Sequence, residues 1–555
     1  MSHNKDINEG TRLNGGATSY TDDACDNATT SKSCTFSSVP NFFWIEFSLL
    51  TNVFLAGYDG TVAASTYTII GNEFNAMELA SWITASYLIT ATAFQPLYGS
   101  FSDSFGRKYC VMFALVLFFI GTLGCAFSPN MLLLNIMRSI TGIGGGGLIT
   151  LSTIINSDIV KPNKRGLFQA FQNLLLGFGA VCGASTGGKI ATDIGWRWCF
   201  YFQCPLAILS LFVAYNFIKD QPGFKKDITS FSQKLKVIDI KGAIILVLAL
   251  TMQLFYLTLG GSKLAWTDLR IILLGALGIF LSIYFFQIES QTFARPIIPI
   301  KMLKGLFSFS QLVLNFLIGF SSYAYLFTLP LLFQLSLGDS PAEAGYKLII
   351  PSFATPIGGI ISGLMMSRNI SLKYLVLSGT FLMCLGNALA ILIGQSLNSW
   401  KINLLLVPAN LGQGLAYPSS LFTFIFAFGK ENQATSTSTV YLMRSIGSVW
   451  GVSGMSTIIH SIFKMKASQR LRNLGYLLEN SISKIVNDVG KSIEVIDTFP
   501  GDIKNIVVNN YVSALRIALF ISAISCGLSF IVHSVGELVK KEPNHSVDTN
   551  EENHV

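Results

Sequence analysis

An aspartate interrupts the first long apolar stretch of the chain, at the centre of the segment VFLAGYDGTVAAS. Asp59 lies about thirteen residues beyond Glu46, which corresponds to roughly 20 Å along a helix at 1.5 Å per residue. A charge at that depth in a bilayer costs on the order of 3 kcal/mol, so a carboxylate retained there needs a partner or a use. Reversible protonation is one such use, and Asp59 is therefore our first candidate for binding a proton or a cationic solute.

Two arginines also lie inside apolar stretches. Arg138 opens RSITGIGGGG near the start of the fourth stretch, and Arg444 lies in YLMRSIGSVWG of the thirteenth. An arginine within a spanning helix is expected to face a cavity or a partner carboxylate. The alternative for Arg138 is that its side chain extends to the membrane interface. For Arg444, a position facing the cytosolic vestibule and one at the cytosolic interface are both open.

A short connection rich in glycine and charge, GSFSDSFGRK, joins the second and third stretches. Gly99 and Gly106 permit a close helix approach and a tight turn. We expect Asp103 to form a salt bridge with a basic group of a neighbouring helix end and so to latch a cytosolic gate. Alternatively, Arg107 and Lys108 only fix the orientation of the chain in the membrane.

Polar side chains in the middle of apolar stretches are candidate contacts for a solute in a central cavity. Together with Arg444, these candidates are Thr61, Gln172, Asn173, Asn315, Tyr323 and Tyr441. Each of them fits equally well as an interhelical hydrogen bond, which is worth only about 0.6 kcal/mol on average within membranes.

The composition indicates a membrane protein. The chain has 555 residues, of which 51% are hydrophobic and 12% are charged, and its mean hydropathy is +0.53. About fourteen runs of the roughly 20 apolar residues that a spanning helix needs can be counted, which predicts an all-α polytopic membrane protein. The nine cysteines lie mostly inside these runs without the spacing of metal ligands, so we expect no metal site and no cofactor.

Basic residues concentrate in alternate connections, such as those containing Lys164 and Arg165 or Arg368 and Lys373. By the positive-inside rule, these connections and both termini face the cytosol. The net charge of +8 is therefore a signal of topology. It does not indicate nucleic-acid binding, because no basic stripe with interleaved aromatic residues is present.

The spans group into two six-helix halves, with two extra spans between them. The predicted halves cover residues 43–218 and 307–534, and a basic linker over 219–306 contains the extra spans. Two such halves around a central site are the layout of a transporter whose halves rock against each other. The second half contains a luminal loop over 464–510, in which LGYLLENSISKIVNDV has the apolar spacing of a short surface helix.

The polar ends of the chain are predicted to be disordered cytosolic tails, over residues 1–42 and 535–555, because they contain too few apolar residues to form a core.

Several of these segments resemble known signatures. GSFSDSFGRK and RSITGIGGGG resemble the major facilitator superfamily signatures between spans two and three and in span four, and YDGTVAAS resembles a first-span element of the fourteen-span drug:proton antiporters. RGLFQAFQN and ENQATSTSTVYLMRSIGSVWG are most similar to the fungal vacuolar basic amino acid transporters. The resemblance implies the major facilitator fold and, because the matching arginine takes part in proton coupling in that family, a coupling role for Arg138.

One departure concerns span five, where the antiporter signature has a proline and this chain has GASTGG. Antiport, symport and facilitated transport therefore all stay open. No Walker-type G-x-x-x-x-G-K-[ST] is present, and the glycine run of span four lies inside an apolar helix, so neither ATP nor a dinucleotide is expected to drive the protein.

The predicted function is a non-enzymatic, proton-coupled secondary transporter that moves lysine, histidine and arginine from the cytosol into the vacuole in exchange for protons. Competition between a proton and a cationic solute for Asp59 is the simplest exchange mechanism. The expected partners are the small-molecule substrate, protons and the lipid bilayer, with no nucleic acid, and the chain is expected to be a monomer. The alternatives are a plasma-membrane exporter of drugs or toxic cations and a nutrient sensor that does not transport.

Overall fold

A computed structural model describes residues 40–540, apart from 81, 162–163, 220–238, 261–263, 265, 293–295, 340, 369, 395–396, 430–431, 474–478 and 492. The elements in this part of the chain are helices, and none is a β-strand. The predicted all-α class is confirmed. Most of the predicted tails and the start of the basic linker lie outside the described residues.

The helices of the first half are interrupted only by short connections. They are α1 (Phe42–Glu73), α2 (Met77–Ala80), α3 (Trp82–Phe105), α4 (Arg107–Phe127), α5 (Met131–Ile159), α6 (Arg165–Ile190), α7 (Arg197–Tyr201) and α8 (Gln203–Phe217). The inserted pair follows as α9 (Ile240–Leu259) and α10 (Leu269–Gln291).

Among the described residues, the second half contains eight α-helices. They are α11 (Leu306–Leu337), α12 (Pro341–Ser352), α13 (Ala354–Ser367), α14 (Leu372–Ala390), α15 (Ser399–Phe428), α16 (Gln433–Arg472), α17 (Glu479–Lys491) and α18 (Gly501–Lys540). The tenth predicted span is therefore divided into α12 and α13, which meet at a turn next to Pro351. A proline in a helix removes a backbone hydrogen bond, which accounts for the break.

Eleven helices among the described residues are long and apolar enough to cross a membrane. The other three predicted spans coincide with α1, α3 and α15, which have 32, 24 and 30 residues. At 1.5 Å per residue, each of these three exceeds the roughly 30 Å of a hydrocarbon core. The count of fourteen spans stays a prediction.

The two halves repeat one packing pattern. In the first half, α1 packs on α6 and α8, while α5 packs on α3 and α4. In the second half, α11 packs on α16 and α18, while α15 packs on α13 and α14. The halves meet where α3 packs on α16 and where α6 packs on α13. In both contacts, the second span of one half packs on the fifth span of the other. Helices α3 and α13 are the second spans, and α6 and α16 are the fifth.

A row of glycines in α5 lets two neighbouring helices approach its backbone. A Cβ atom on Gly144 would lie 2.5 Å from the backbone nitrogen of Phe118 in α4, and one on Gly146 would lie 2.5 Å from the carbonyl oxygen of Ala91 in α3. Small residues at such crossings permit close packing inside a membrane. The row therefore places α5, and with it Arg138, at the centre of the first half.

The predicted luminal loop is largely helical. Helix α16 continues nine residues beyond the predicted end at 463, and α18 begins ten residues before the predicted start at 511. The expected surface helix is present as α17, and its Ile482, Val486 and Val489 are buried in one cluster with Leu471 of α16 and Val507 of α18. The described part of the 464–510 segment is therefore a packed extension of the second half.

We predict that Gly144→Ala destabilises the protein by about 1–3 kcal/mol, because the new methyl group would meet backbone atoms of α4 that have no room to move. Gly177→Ala in α6 is the matched control, since a Cβ atom there meets nothing within 4 Å. The measurement is the thermal unfolding midpoint of the detergent-purified protein. Equal midpoints for the two variants would contradict the packing of α5.

Candidate functional site

The carboxylate of Asp59 forms an ion pair with Arg138. Nη1 of Arg138 donates to both carboxylate oxygens, at 2.8 and 2.7 Å, and both side chains are fully buried. Asp59 lies near the middle of α1, and Arg138 lies seven residues inside α5. Extension of Arg138 to the interface is therefore excluded, and the two residues singled out separately in the sequence form one site.

Further groups hold the arginine in place. Nε of Arg138 donates to the carbonyl oxygen of Ile83 at 3.0 Å, and the guanidinium lies 4.6 Å from the ring centre of Tyr87. Nη2 is buried and has no hydrogen-bond partner among the described residues. Because unpaired charge is costly in such surroundings, loss of either member of the pair is expected to destabilise the bundle by about 3–5 kcal/mol.

A second charged cluster forms at the end of the bundle that is predicted to face the cytosol. Nη1 of Arg107 donates to Asp103 Oδ1 at 2.7 Å and to Ser102 Oγ at 2.6 Å, while its Nε donates to Asp158 Oδ2 at 2.9 Å. The other oxygen of Asp158 accepts a hydrogen bond of 2.8 Å from Gln433 Nε2. These five residues, the gate cluster, thus join α3, α4 and α5 of the first half to α16 of the second.

The two glycines of the predicted gate have different structural roles. A Cβ atom on Gly99 would lie 2.8 Å from the carbonyl oxygen of Ala434, so this glycine allows α3 to touch α16. Gly106 adopts φ +97° immediately before α4, a conformation that favours glycine. Lys108 is placed away from the cluster, with its Nζ 4.7 Å from the ring centre of Tyr215 in α8.

Arg444 lies in a buried polar site of the second half. Its Nη2 donates to Asn315 Oδ1 at 2.9 Å, to the carbonyl oxygen of Tyr417 at 3.1 Å and to Ser420 Oγ at 3.2 Å. The guanidinium lies 4.1 Å from the ring centre of Tyr417 and 5.6 Å from that of Tyr441. This arginine is 7% exposed and lies eleven residues inside α16, about 17 Å along the helix, which does not fit a position at the membrane interface.

Tyr441 connects this site to the first half. Its hydroxyl lies 2.9 Å from Thr153 Oγ1 and accepts a hydrogen bond of 3.3 Å from Gln169 Nε2. Thr153 in turn donates to Gln172 Oε1 at 3.0 Å, and Gln169 donates to Asn173 Oδ1 at 3.4 Å. A series of polar side chains in contact therefore extends from Arg444, through Tyr441, into the first half.

Two candidates from the sequence lie outside this chain of hydrogen bonds. Thr61 donates to the carbonyl oxygen of Ala180 at 2.8 Å and thereby fastens α1 to α6. Tyr323 is 42% exposed. It lies in α11, a helix of the second half.

The partner residues that complete each cluster are not among those predicted from the sequence. Asp158 and Gln433 complete the gate cluster, Tyr87 flanks the ion pair, and Tyr417 and Ser420 contact Arg444. Asp158 carries the clearest signal, because it is a carboxylate at the end of an apolar span next to a basic connection. The others are ordinary polar residues on other helices.

The chain matches the Major Facilitator Superfamily over residues 49–452. It belongs to this superfamily. It is 52% identical to the uncharacterized transporter C460.03 of Schizosaccharomyces pombe, with 88% of this chain and 86% of that protein covered. It is also 47% identical to the vacuolar basic amino acid transporter 2 of Saccharomyces cerevisiae, with 82% and 97% covered. The predicted resemblance is thus confirmed, and the protein is a multi-pass membrane transporter of this superfamily.

A solved structure shares the fold. The human organic anion transporter MFSD10 (TETRAN) superimposes with a TM-score of 0.56 over 89% of this chain and all of that one, at 13% identity. The predicted major facilitator fold is therefore confirmed.

We predict that Arg107→Ala weakens the closed gate, because both Asp103 and Asp158 lose their cationic partner. The reporter is a pair of cysteines at Gln95 and Ser445, whose side chains are joined by a hydrogen bond of 2.7 Å across the halves. A short thiol cross-linker should join them several-fold more slowly in the Arg107→Ala background.

The control for this experiment is Lys108→Ala, which removes the adjacent cation of the same connection and should leave the cross-linking rate unchanged. A chain without the introduced cysteine pair corrects for reaction of the native cysteines. Equal cross-linking rates in the two alanine backgrounds would refute the latch.

Proposed function

We propose that this transporter moves basic amino acids from the cytosol into the vacuole in exchange for protons. The observation that carries the proposal is the fully buried pair of Asp59 and Arg138 in the first half. The identity to the vacuolar basic amino acid transporter 2, over nearly the whole of that protein, supports the choice of substrate and membrane.

The ion pair provides a switch that a proton can operate. As long as Asp59 is ionised, its two oxygens accept hydrogen bonds from Arg138, and the charges compensate each other. A proton from the acidic lumen neutralises Asp59 and releases Arg138 with an uncompensated charge. Because an unpaired buried charge is strongly unfavourable, protonation favours a rearrangement of α1 against α5 that brings this arginine a new partner or water.

The direction of transport follows from where the proton is released. If Asp59 loses its proton to the cytosol, each pH unit across the membrane contributes about 1.4 kcal/mol per proton, which is enough for roughly tenfold accumulation of the exchanged solute. In this structure both oxygens of Asp59 are occupied by Arg138. A cationic substrate can therefore reach this carboxylate only after the ion pair has opened, so protonation and substrate binding are separate steps of one cycle.

The gate cluster fits the same cycle. Its contacts join the first and second halves through Asp158 and Gln433 at the end predicted to face the cytosol. With this end closed, a proton can reach the pair only from the opposite side. Closure at one end while the other exchanges with its compartment is what alternating access requires.

The function is tested with energised vacuolar vesicles. Vesicles that contain the protein should accumulate labelled lysine and histidine, and vesicles from cells lacking it should accumulate less, with the difference abolished by a protonophore. Equal uptake by both preparations refutes the proposal. Drug sensitivity of cells lacking the protein, with a fluorescent fusion at the plasma membrane, would instead favour a drug or cation exporter.

The coupling role is tested by Asp59→Asn, which we expect to abolish uptake driven by the pH gradient. Asp193→Asn is the matched control, because it makes the same chemical change at an exposed site. Asp59→Asn also leaves Arg138 without a counter-ion, so a double variant, Asp59→Asn with Arg138→Gln, should recover thermal stability without recovering uptake. Uptake that still responds to pH in the stable double variant would place coupling elsewhere.

A further inference from the structure

We infer that Arg444 binds the α-carboxylate of the transported amino acid and thereby excludes cations that lack a carboxylate. This inference rests on the proposed function, since it names the group of the substrate that the second half recognises. From the sequence, Arg444 is a candidate cavity residue without an assigned partner or role. In the structure, a comparison of Arg444 with Arg138 indicates both the partner and the role.

Arg444 differs from two buried arginines of the first half in how its charge is balanced. Arg138 faces a carboxylate at 2.7 Å, and Arg107 faces two. Arg444 is 7% exposed, yet among the described residues no carboxylate forms an ion pair with it. Its hydrogen bonds go to a side-chain amide, a hydroxyl and a backbone carbonyl, all of which are neutral.

Part of the guanidinium is left without a hydrogen bond. Nε of Arg444 is buried and has no acceptor in the described part of the chain, whereas Nη2 makes three bonds. The neutral contacts fix the orientation of the group, and Gly319 holds the backbone of α16 against α11 at this residue. A rigid, buried arginine with an unused donor and an uncompensated charge is suited to binding an anion.

The position of the site fits a ligand between the halves. Arg444 lies eleven residues into α16, about 17 Å along the helix, near the depth at which transporters place their substrates. Tyr441, whose ring centre lies 5.6 Å from the guanidinium of Arg444, hydrogen-bonds to Thr153 of the first half. A group bound to Arg444 therefore touches the boundary that opens and closes.

The chemistry of the ligand follows from the guanidinium. A planar guanidinium pairs with a carboxylate through two parallel hydrogen bonds, which distinguishes it from a simple point charge. Every amino acid carries such a carboxylate, whereas an organic cation does not. Arg444 would repel a purely cationic solute. The first half therefore binds the proton, and the second half recognises the α-carboxylate of the substrate.

The test compares lysine with lysinamide, which keeps both amino groups and replaces the carboxylate by a neutral amide. Full-length protein is reconstituted in proteoliposomes with a pH gradient, and uptake of each labelled compound is measured. Wild type should transport lysine with a KM at least about tenfold lower than that for lysinamide, as expected for loss of a hydrogen-bonded ionic contact. Arg444→Gln should raise the KM for lysine by a similar factor and leave lysinamide uptake unchanged or increased.

Two further variants separate recognition from structure. Arg444→Lys keeps the charge without the planar fork and should retain part of the preference for lysine. Arg470→Gln changes an exposed arginine of the same helix and should behave like wild type. A merely structural role for Arg444 would lower the uptake of lysine and lysinamide equally.

The outcomes distinguish the inference from the proposed function. Lysine uptake by wild type without preference over lysinamide, or equal losses for both compounds in Arg444→Gln, overturns the carboxylate site and leaves basic amino acid transport intact. Absence of lysine uptake by wild type overturns the proposed function, and the carboxylate site falls with it.

Discussion

The pairing of Asp59 with Arg138 inside an apolar bundle is the interaction on which the first half depends. Neither charge is tolerable alone at this depth, and together they require helices α1 and α5 to be close enough for a hydrogen bond of 2.7 Å. The glycine row of α5 lets α3 and α4 pack directly on the helix backbone that carries the arginine, and α3 places Ile83 and Tyr87 next to its guanidinium. Residues that have no chemistry of their own thus set the geometry of a charged site.

The same architecture carries different charges in the two halves. The helices pack in an equivalent order, and even the contact between first and sixth spans recurs as a pair of buried serines, Ser48 with Ser210 and Ser321 with Ser522. The charges do not follow this symmetry. The first half contains a compensated pair, whereas Arg444 in the second half is surrounded by neutral groups. A repeated scaffold therefore holds unequal charges in its two halves.

The two halves are joined by hydrogen bonds of modest strength. Gln433 reaches Asp158, Ser445 reaches Gln95, and Tyr441 reaches Thr153. Net contributions of about 1 kcal/mol each are small enough for a transporter to break and remake them, while several together hold one state. The close contacts of Gly99 with α16 and of Gly166 with Gly363 let the helices meet without side chains that would interlock.

The sequence alone determined the class, the approximate spans and the charged residues of interest, because the cost of placing polar groups in a bilayer leaves a strong pattern in the chain. Asp59, Arg138 and Arg444 stand out for this reason, and the gate connection is recognisable because its residues are adjacent. The sequence could not pair Asp59 with Arg138, join Asp158 to Gln433, or show that Arg444 lacks a carboxylate. Those facts concern residues 79 to 275 positions apart or the absence of a neighbour. Only the packing of helices decided them, since periodicity along one helix indicates which residues share a face but not which helix that face meets.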